Sequence, residues 1–176
     1  MTVEDADAAE ETVWSGKWIE AKRRGRWEYV TRARGIKAAV IVALGEGDVL
    51  LVEQFRVPLG RVCLELPAGL IGDDQEGEDP LLAARRELEE ETGYAAAEWD
   101  DLGEFFSSPG MVSESFRMIR SRGLTRVGEG GGVPGENITV HRVPLAEVAD
   151  FIAARRADGI AVDAKLLMLL AGSIVS

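Results

Sequence analysis

The stretch GDDQEGEDPLLAARRELEEETGY, residues 72–94, decides the fold. It is an acidic loop that runs into a helix whose start and end are both marked. Asp79 is a helix N-cap residue, Pro80 occupies the first helical position and Gly93 stands where a helix ends. The sequence therefore predicts a helix over about 80–92 whose glutamates are concentrated near its end and whose buried side is formed by Leu81, Leu82, Ala84 and Leu88.

Three of these glutamates project from the same side of the predicted helix. Glu87 precedes Glu90 by three residues and Glu91 by four, and side chains at these spacings meet on a helix surface. In a cleft, such carboxylates repel each other by roughly 1–4 kcal/mol per pair at about 4 Å. A hard cation such as Mg²⁺ removes that cost. Glu-rich helices are also common as solvated faces, so this spacing alone leaves both interpretations open.

The wider spacing favours the metal site. From Gly72 to Tyr94 the chain matches every fixed position of the Nudix box, G-x5-E-x7-R-E-U-x-E-E-x-G-U, where U is aliphatic or aromatic. The chain therefore resembles the Nudix hydrolases, which cleave nucleoside diphosphates linked to another moiety and use Mg²⁺ or Mn²⁺. The resemblance implies an α/β fold, namely an α/β/α sandwich with a mixed β-sheet preceded by short N-terminal strands. It also implies that the metal is bound by Glu87, Glu90 and Glu91.

Two glycines compete for the first position of the box. In similar enzymes the box glycine belongs to a Pro-Ala-Gly triplet, which here is 67–69. Gly69 lies three residues further from Glu78 than Gly72 does. We interpret this as a three-residue insertion in the loop 70–77, with Gly72 matching the box by position only.

Segments outside the box resemble the ADP-ribose pyrophosphatase subgroup. Residues 52–56 match a strand whose arginine, here Arg56, contacts the substrate. Residues 65–69 match the stretch before the box, and the resemblance makes the carbonyl of Ala68 a further metal ligand. Arg56 has a plainer interpretation as the partner in a surface salt bridge.

A second subgroup marker follows the box. Pro109 stands 15 residues after Tyr94, and Glu114 completes an S-P-G-x-x-x-E pattern. The resemblance places Pro109 beside the terminal ribose and directs Glu114 to the diphosphate or its waters. The alternatives are an ordinary turn at Pro109 and an exposed strand residue at Glu114.

The loop 127–137 contains the candidate for water activation. In the subgroup a glutamate on this loop helps to activate the attacking water, and Glu136 aligns best with it, whereas Glu129 is a second candidate. Within the box, Arg86 stands four residues before Glu90 and can hold its carboxylate in place. The catalytic candidates are therefore Glu90, Glu136 and Arg86.

The N-terminal part is rich in tryptophan, with three of the four tryptophans before residue 30. Residues 27–31 alternate as a strand does. In similar enzymes such segments exchange across a homodimer and help to form the adenine site, which implies a homodimer here. The candidates for substrate binding are Trp27, Arg32 and Arg34. The predicted organisation is a flexible acidic tail (1–11), N-terminal strands that dimerise (12–35) and a Nudix hydrolase domain (36–176).

Apolar runs predict the remaining elements. Residues 36–44 and 49–55 form two strands separated by a glycine-containing turn, and we expect them to pair as a hairpin. Two further helices are expected over about 145–157 and from about 163. Further strands are predicted at 62–67, 102–106, 115–120 and 138–143.

Composition excludes several classes of function. The 176 residues carry 20 Lys and Arg against 31 Asp and Glu, a formal charge of −11, which disfavours nucleic acids and anionic membranes as partners. One cysteine, Cys63, excludes a disulfide framework, and one histidine, His141, excludes a multi-histidine zinc site. No apolar run has the ~20 residues of a membrane span, and the acidic start does not resemble a secretory signal. We therefore expect a cytoplasmic protein.

The expected function is metal-dependent hydrolysis of ADP-ribose, or of a related nucleoside diphosphate sugar, to AMP and ribose 5-phosphate. One alternative is another sugar nucleotide such as GDP-mannose. The other is a non-catalytic sensor with the same fold. Such sensors usually lack box glutamates, and all three are present here.

Overall fold

The computed structural model describes residues 3–72 and 77–171, and within these ranges the elements are as follows. The α-helices are α1 (Pro80–Thr92) and α2 (Val148–Ala157), and short 3-10 helices span Ala33–Gly35, Val57–Leu59, Leu145–Glu147 and Ala164–Leu170. No helix in these ranges is long and apolar enough to cross a membrane. The strands are β1 (Glu10–Ser15), β2 (Ile19–Arg24), β3 (Trp27–Arg32), β4 (Lys37–Ala43), β5 (Asp48–Arg56), β6 (Arg61–Glu65), β7 (Ala68–Ile71), β8 (Tyr94–Phe106), β9 (Ser115–Arg126), β10 (Thr139–Pro144) and β11 (Ala161–Val162).

The strands form three sheets. The N-terminal sheet has the antiparallel order β1-β2-β3, and the other two have the orders β10-β5-β6-β11 and β7-β4-β9-β8. The pairs β4–β9 and β6–β11 are parallel, and the remaining pairs are antiparallel. The predicted α/β class with mixed strand directions is therefore confirmed, although the mixed strands are divided between two sheets.

The two faces of β4 pack in two hydrophobic clusters because successive strand residues point to opposite sides. One face packs against α1, and the other packs towards α2 and the C-terminal 3-10 helix. These contacts give the helix–sheets–helix layering of an α/β/α sandwich. The cluster with α1 contains Ala39, Ile41, Ala43, Ala83, Ala84 and Leu88, and the other contains Val40, Val42, Leu44, Val148, Ile152 and Leu166.

The hairpin expected between 36–44 and 49–55 is wrong. β4 and β5 lie in different sheets and are joined only by a bridge between Leu44 and Val49, as far as the described residues show. Residues 39–43 of β4 and 49–52 of β5 are buried, and each strand has an internal place in its own sheet. An apolar run indicates such burial but does not identify the neighbouring strand.

Three boundaries also differ from the expectations. β8 begins at Tyr94 instead of near 102, directly after the helix, and the helix expected from 163 is a 3-10 helix. β1 begins at Glu10, inside the stretch predicted as a tail, because Glu10 and Glu11 pair with arginines of β2. The first two residues of that tail and residues 172–176 of the predicted domain lie outside the described residues.

Candidate functional site

Helix α1 has the predicted end signals. The Oδ1 of Asp79 accepts a hydrogen bond from the backbone N–H of Leu81 at 2.7 Å, and Gly93 adopts the left-handed conformation that ends the helix. The glutamates near its end have different environments. Glu91 is 6% exposed and Glu87 is partly buried, whereas Glu89 and Glu90 are exposed. The helix therefore directs Glu87 and Glu91, and not the whole acidic run, into the protein.

Strand β7 supports both of these carboxylates. The backbone N–H of Ala68 donates to the Oε2 of Glu91 at 3.0 Å. A β-carbon built on Gly69 would lie 1.9 Å from the Cδ of Glu87, so the carboxylate occupies the space that any side chain at Gly69 would need. The last two residues of the Pro-Ala-Gly triplet thus contact the carboxylates of Glu91 and Glu87.

The structure gives the two competing glycines different roles. Gly69 permits the close approach of Glu87, whereas the backbone N–H of Gly72 donates to the Oε2 of Glu78 at 3.1 Å. Gly72 is therefore bonded to another residue of the box and does more than match it by position. Residues 73–76, in the middle of the loop where we placed an insertion, lie outside the described residues.

Arg86 connects the charged residues of the box. Its Nη1 donates to the Oε1 of Glu87 at 2.8 Å and lies 3.6 Å from the Oε2 of Glu90. Its Nη2 lies 3.7 Å from the Oε1 of Glu78 and 3.4 Å from the carbonyl oxygen of Leu70. The predicted pairing with Glu90 is present, and the shortest of these contacts is to Glu87.

A pocket of about 380 Å³ opens beside Glu87 and Glu91, and we call it the carboxylate pocket. It brings together predicted residues from distant parts of the chain: Arg32, Arg56, Ala68, Glu87, Glu91, Glu114 and Glu136. The other lining residues are Ala38, Val40, Gln54, Glu65, Gly69, Leu70, Ser107, Phe116 and Lys165.

Arg56 is fixed in this pocket by a buried carboxylate. Its Nε and Nη2 donate to the two oxygens of Glu65 at 2.6 and 2.8 Å, and Glu65 is only 5% exposed. These hydrogen bonds raise the pKa of Arg56 above its usual value. A paired arginine of this kind has one orientation, which suits it to bind phosphate oxygens. The surface salt bridge considered from the sequence is therefore a pair between a buried carboxylate and a partly exposed arginine that faces the pocket.

Arg32 joins the carboxylate pocket to a second pocket. Its Nε donates to the Oε1 of Glu114 at 2.6 Å. The second pocket, of about 790 Å³, is walled by the N-terminal sheet and by residues 109–113, and we call it the N-terminal pocket. Trp27, which is 50% exposed, Arg34 and Pro109 line it together. The residues predicted for adenine and those predicted for the terminal ribose thus share one pocket within a single chain.

The loop 127–137, which we call the late loop, packs against the end of α1. The backbone N–H groups of Gly131 and Gly132 donate to the carbonyl oxygens of Glu91 and Glu90 at 2.8 and 2.9 Å. The contact requires glycine at position 130, because a β-carbon there would lie only 2.5 Å from the carbonyl carbon of Thr92. The loop thereby carries Glu136 to the rim of the carboxylate pocket.

The two candidates for water activation have different positions. Glu136 lines the carboxylate pocket, and its Oε2 accepts a hydrogen bond from the backbone N–H of Val133 at 2.9 Å. The side chain of Glu129 is fully exposed and lies 4.0 Å from Arg126. Glu129 is therefore not brought to the pocket.

Burial raises the pKa of the Glu91 carboxyl to about 8, because desolvation disfavours its charged form. The hydrogen bond from Ala68 partly opposes this shift, and the nearby charge of Glu87 adds to it. Without a cation, Glu91 therefore holds a proton at neutral pH. A hard divalent cation between the two carboxylates would favour the charged form, so these residues fit such an ion.

No group of three or more acidic, histidine or cysteine side chains in the described ranges already converges as around a bound metal ion. Glu87 and Glu91 line the carboxylate pocket, whereas Glu90 is exposed beside Arg86. The predicted roles of Glu90 and of the Ala68 carbonyl as ligands stay predictions.

Replacing Glu91 by glutamine should stabilise the metal-free protein at alkaline pH. Because the pKa of this carboxyl is about 8 in the folded protein and about 4.5 when it is solvated, the folded protein loses stability as the pH rises through this window. In EDTA at pH 8.5 we expect the variant to be more stable by about 1 kcal/mol or more, a rise in Tm of roughly 2–4 °C. Thermal unfolding at pH 5 and pH 8.5 measures this effect. An equal difference at both pH values would contradict it.

Two residues that line the carboxylate pocket belong to none of the candidate sites predicted from the sequence. Glu65 stands in the stretch that matched the subgroup. Its position as a charged residue at the end of an apolar strand could have indicated a role in the site. Lys165 lies far from the box in sequence, and no motif includes it. The structure brings both to the carboxylate pocket.

The comparisons with known proteins agree with this geometry. The description of the matching family is "NUDIX domain", and the match covers residues 33–164. A methanol dehydrogenase activator of Bacillus methanolicus is 35% identical over 119 residues, 67% of this chain and 63% of that protein. An ADP-ribose pyrophosphatase of Bacillus subtilis is 33% identical over 133 residues, 70% of this chain and 69% of that protein. The chain thus spans about two thirds of the length of these relatives.

A solved structure, described as an ADP compounds hydrolase, has the same fold. It superposes with a TM-score of 0.67 over 92% of this chain and 89% of the other, at 23% sequence identity. The family match covers α1, the Pro-Ala-Gly triplet, Arg56 and the loop 127–137, which all contribute to the carboxylate pocket, whereas Arg32 and Lys165 of its lining lie outside the match. The chain therefore belongs to the Nudix family of hydrolases.

Proposed function

We propose that the chain hydrolyses the diphosphate of ADP-ribose, or of a closely related nucleoside diphosphate sugar, to AMP and ribose 5-phosphate. The observation that carries the proposal is the composition of the carboxylate pocket. Glu87, Glu91 and Glu136 lie in the same pocket as two arginines, Arg32 and Arg56. Carboxylates beside guanidinium groups suit a metal-bound diphosphate.

The charges of the pocket favour a metal-dependent reaction. Five carboxyl groups line it against three cationic side chains, so even with Glu91 protonated a diphosphate alone would meet a surface of its own sign. A divalent ion, Mg²⁺ or Mn²⁺, held by Glu87 and Glu91 would neutralise phosphate charge and lower the pKa of a water molecule. We therefore expect no measurable hydrolysis in EDTA.

Four side chains of the protein would have distinct roles in the reaction. Glu136, at the rim of the pocket, would accept the proton of the attacking water. Arg56, oriented by Glu65, would stabilise the charge that develops on the phosphate oxygens. Glu91 would be ionised once a cation is bound. Arg86 would position Glu87 through their 2.8 Å hydrogen bond.

The N-terminal pocket would hold the nucleoside. Trp27 is half-exposed in its wall and offers an aromatic face for stacking on a base. Arg32, which lines both pockets, would lie between the base and the diphosphate. The name of the Bacillus subtilis relative, ADP-ribose pyrophosphatase, supports adenine as this base.

Substrate choice tests the proposal. With Mg²⁺ or Mn²⁺, kcat/KM should be at least ~10²-fold higher for ADP-ribose than for ATP or diadenosine tetraphosphate, a difference of about 2.7 kcal/mol in transition-state binding. GDP-mannose belongs in the same assay as the competing sugar nucleotide. A preference for ATP or diadenosine tetraphosphate would remove the ADP-ribose assignment. Binding of ADP-ribose without turnover under either metal would instead indicate a non-catalytic sensor.

We also expect a homodimer that forms through residues 13–34. Val13, Trp14, Trp18 and Ile19 are exposed on or beside the N-terminal sheet, and large apolar side chains of this kind are characteristic of interface cores. Sedimentation should show a dimer at micromolar concentration, and Trp14→Glu should shift it towards the monomer. Leu82→Glu is the matched control, because Leu82 of α1 is 59% exposed and the burial expected for it from the sequence is wrong. A monomeric wild-type protein would contradict the expectation.

A further inference from the structure

The parallel pairing of β11 with β6 brings a lysine to the carboxylate pocket. Ala161 pairs with Cys63 and Val162 with Leu64. The next residues along the two strands, Asp163 and Glu65, are therefore neighbours at the carboxyl ends of these strands. The backbone N–H of Asp163 donates to the carbonyl oxygen of Leu64 at 3.0 Å, which extends this register by one residue. The 3-10 helix that follows therefore starts beside the Arg56–Glu65 pair.

Lys165 is the third cation of the carboxylate pocket. Its side chain is 22% exposed, and its Nζ lies 5.7 Å from the ring centre of Phe116, which also lines the pocket. Asp163 holds Lys165 in two ways. Its Oδ1 accepts from the backbone N–H of Lys165 at 2.7 Å, and its Oδ2 accepts from the ammonium group.

The three cations of the pocket differ in how firmly they are held. Arg56 uses two N–H groups on the buried Glu65, and Arg32 uses its Nε on Glu114. Lys165 instead carries a compact charge with three donors on a flexible stem, and its carboxylate partner is only two residues away. An ammonium group of this kind can turn towards an anion by rotation of its stem, and the Asp163 carboxylate that it leaves keeps the hydrogen bond from the backbone N–H of Lys165.

We propose that Lys165 binds a phosphate oxygen of the substrate and that Asp163 is its counter-ion in the substrate-free protein. The proposal rests on the diphosphate substrate proposed above and adds a binding residue from the C-terminal 3-10 helix. When the diphosphate enters, the ammonium group donates to a phosphate oxygen while Asp163 keeps its hydrogen bond to the backbone of Lys165. The capped turn thus stays intact while the side chain exchanges partners.

Binding of ADP in the presence of Mg²⁺, measured by calorimetry on the full chain, tests this role independently of turnover. Lys165→Met keeps the length of the stem and removes the charge. We expect it to weaken ADP binding and to raise KM for ADP-ribose by about tenfold, or about 1.4 kcal/mol, with a smaller change in kcat. Lys165→Arg should retain most of the affinity. Lys37→Met, at an exposed position of β4 outside the described pocket lining, should match the wild type.

Asp163→Asn tests whether Lys165 binds phosphate or acts only through its ion pair with Asp163. Asparagine retains the cap acceptor but loses the charge, so ADP affinity should stay within twofold of the wild type or increase. Equal weakening by Lys165→Met and Asp163→Asn would overturn the proposal, as would unchanged ADP binding by Lys165→Met. If ADP-ribose is not hydrolysed but Lys165→Met still weakens ADP binding, the proposed reaction fails while the assignment of Lys165 stands.

Discussion

Glu91→Gln should lower kcat by at least about 100-fold with saturating Mg²⁺, because the divalent ion proposed above would lose a negatively charged ligand. Glu91 is the most buried glutamate of the box run and rests on the backbone N–H of Ala68. Glutamine has nearly the same shape and can still accept that hydrogen bond, so the fold should be retained. The same substitution should stabilise the metal-free protein at alkaline pH, and loss of activity together with gain of stability identifies a residue kept for function.

Neighbouring glutamates supply the controls for this result. Glu87→Gln should also lower kcat by at least about 100-fold, since Glu87 lines the same pocket. Glu89→Gln should leave kcat nearly unchanged, because Glu89 is exposed and lies outside the described lining of the pocket. Steady-state rates and thermal unfolding of the three variants decide the matter. Equal losses at Glu89 and Glu91 would mean that the functional face of the helix is assigned wrongly.

Arg56→Ala should lower kcat/KM by about 10²–10³-fold, because two effects act in the same direction. The substrate loses a charge-assisted hydrogen bond of about 1.5–3 kcal/mol. In addition, Glu65 is left as an unpaired buried carboxylate beside the diphosphate, which adds repulsion and destabilises the fold. Because Arg56 is partly exposed, we expect a stability loss of about 2 kcal/mol, below the 3–5 kcal/mol typical of broken buried pairs.

Arg61 provides the matched control for Arg56. It pairs directly opposite Arg56 in the β5–β6 ladder but is exposed, and it is not part of the described pocket lining. Arg61→Ala should change both kcat/KM and the free energy of unfolding only slightly. Arg56→Lys keeps the charge but cannot reproduce the two hydrogen bonds to Glu65, so its activity should lie between wild type and Arg56→Ala. Full activity of Arg56→Ala would exclude a role in binding phosphate.

The sequence by itself determined α1 and the placement of its charged side chains. Asp79, Pro80 and Gly93 mark the start and end of α1 by local backbone preferences, which act within a few residues and need no tertiary context. The spacing of Glu87 and Glu91 places them on one side of that helix for the same reason. The family and the α/β class follow from such local patterns, because the many fixed positions of the box lie in one continuous segment.

Only the tertiary structure decided which strands are neighbours and which charges meet. The apolar runs of β4 and β5 indicate burial, yet each strand pairs with partners from elsewhere in the chain, and the expected hairpin does not form. Glu65 and Lys165 reach the carboxylate pocket through the β5–β6 and β6–β11 registers. Burial of Glu91, and with it the raised pKa of its carboxyl, likewise depends on packing against β7. These features arise from contacts between distant segments, and no local spacing encodes them.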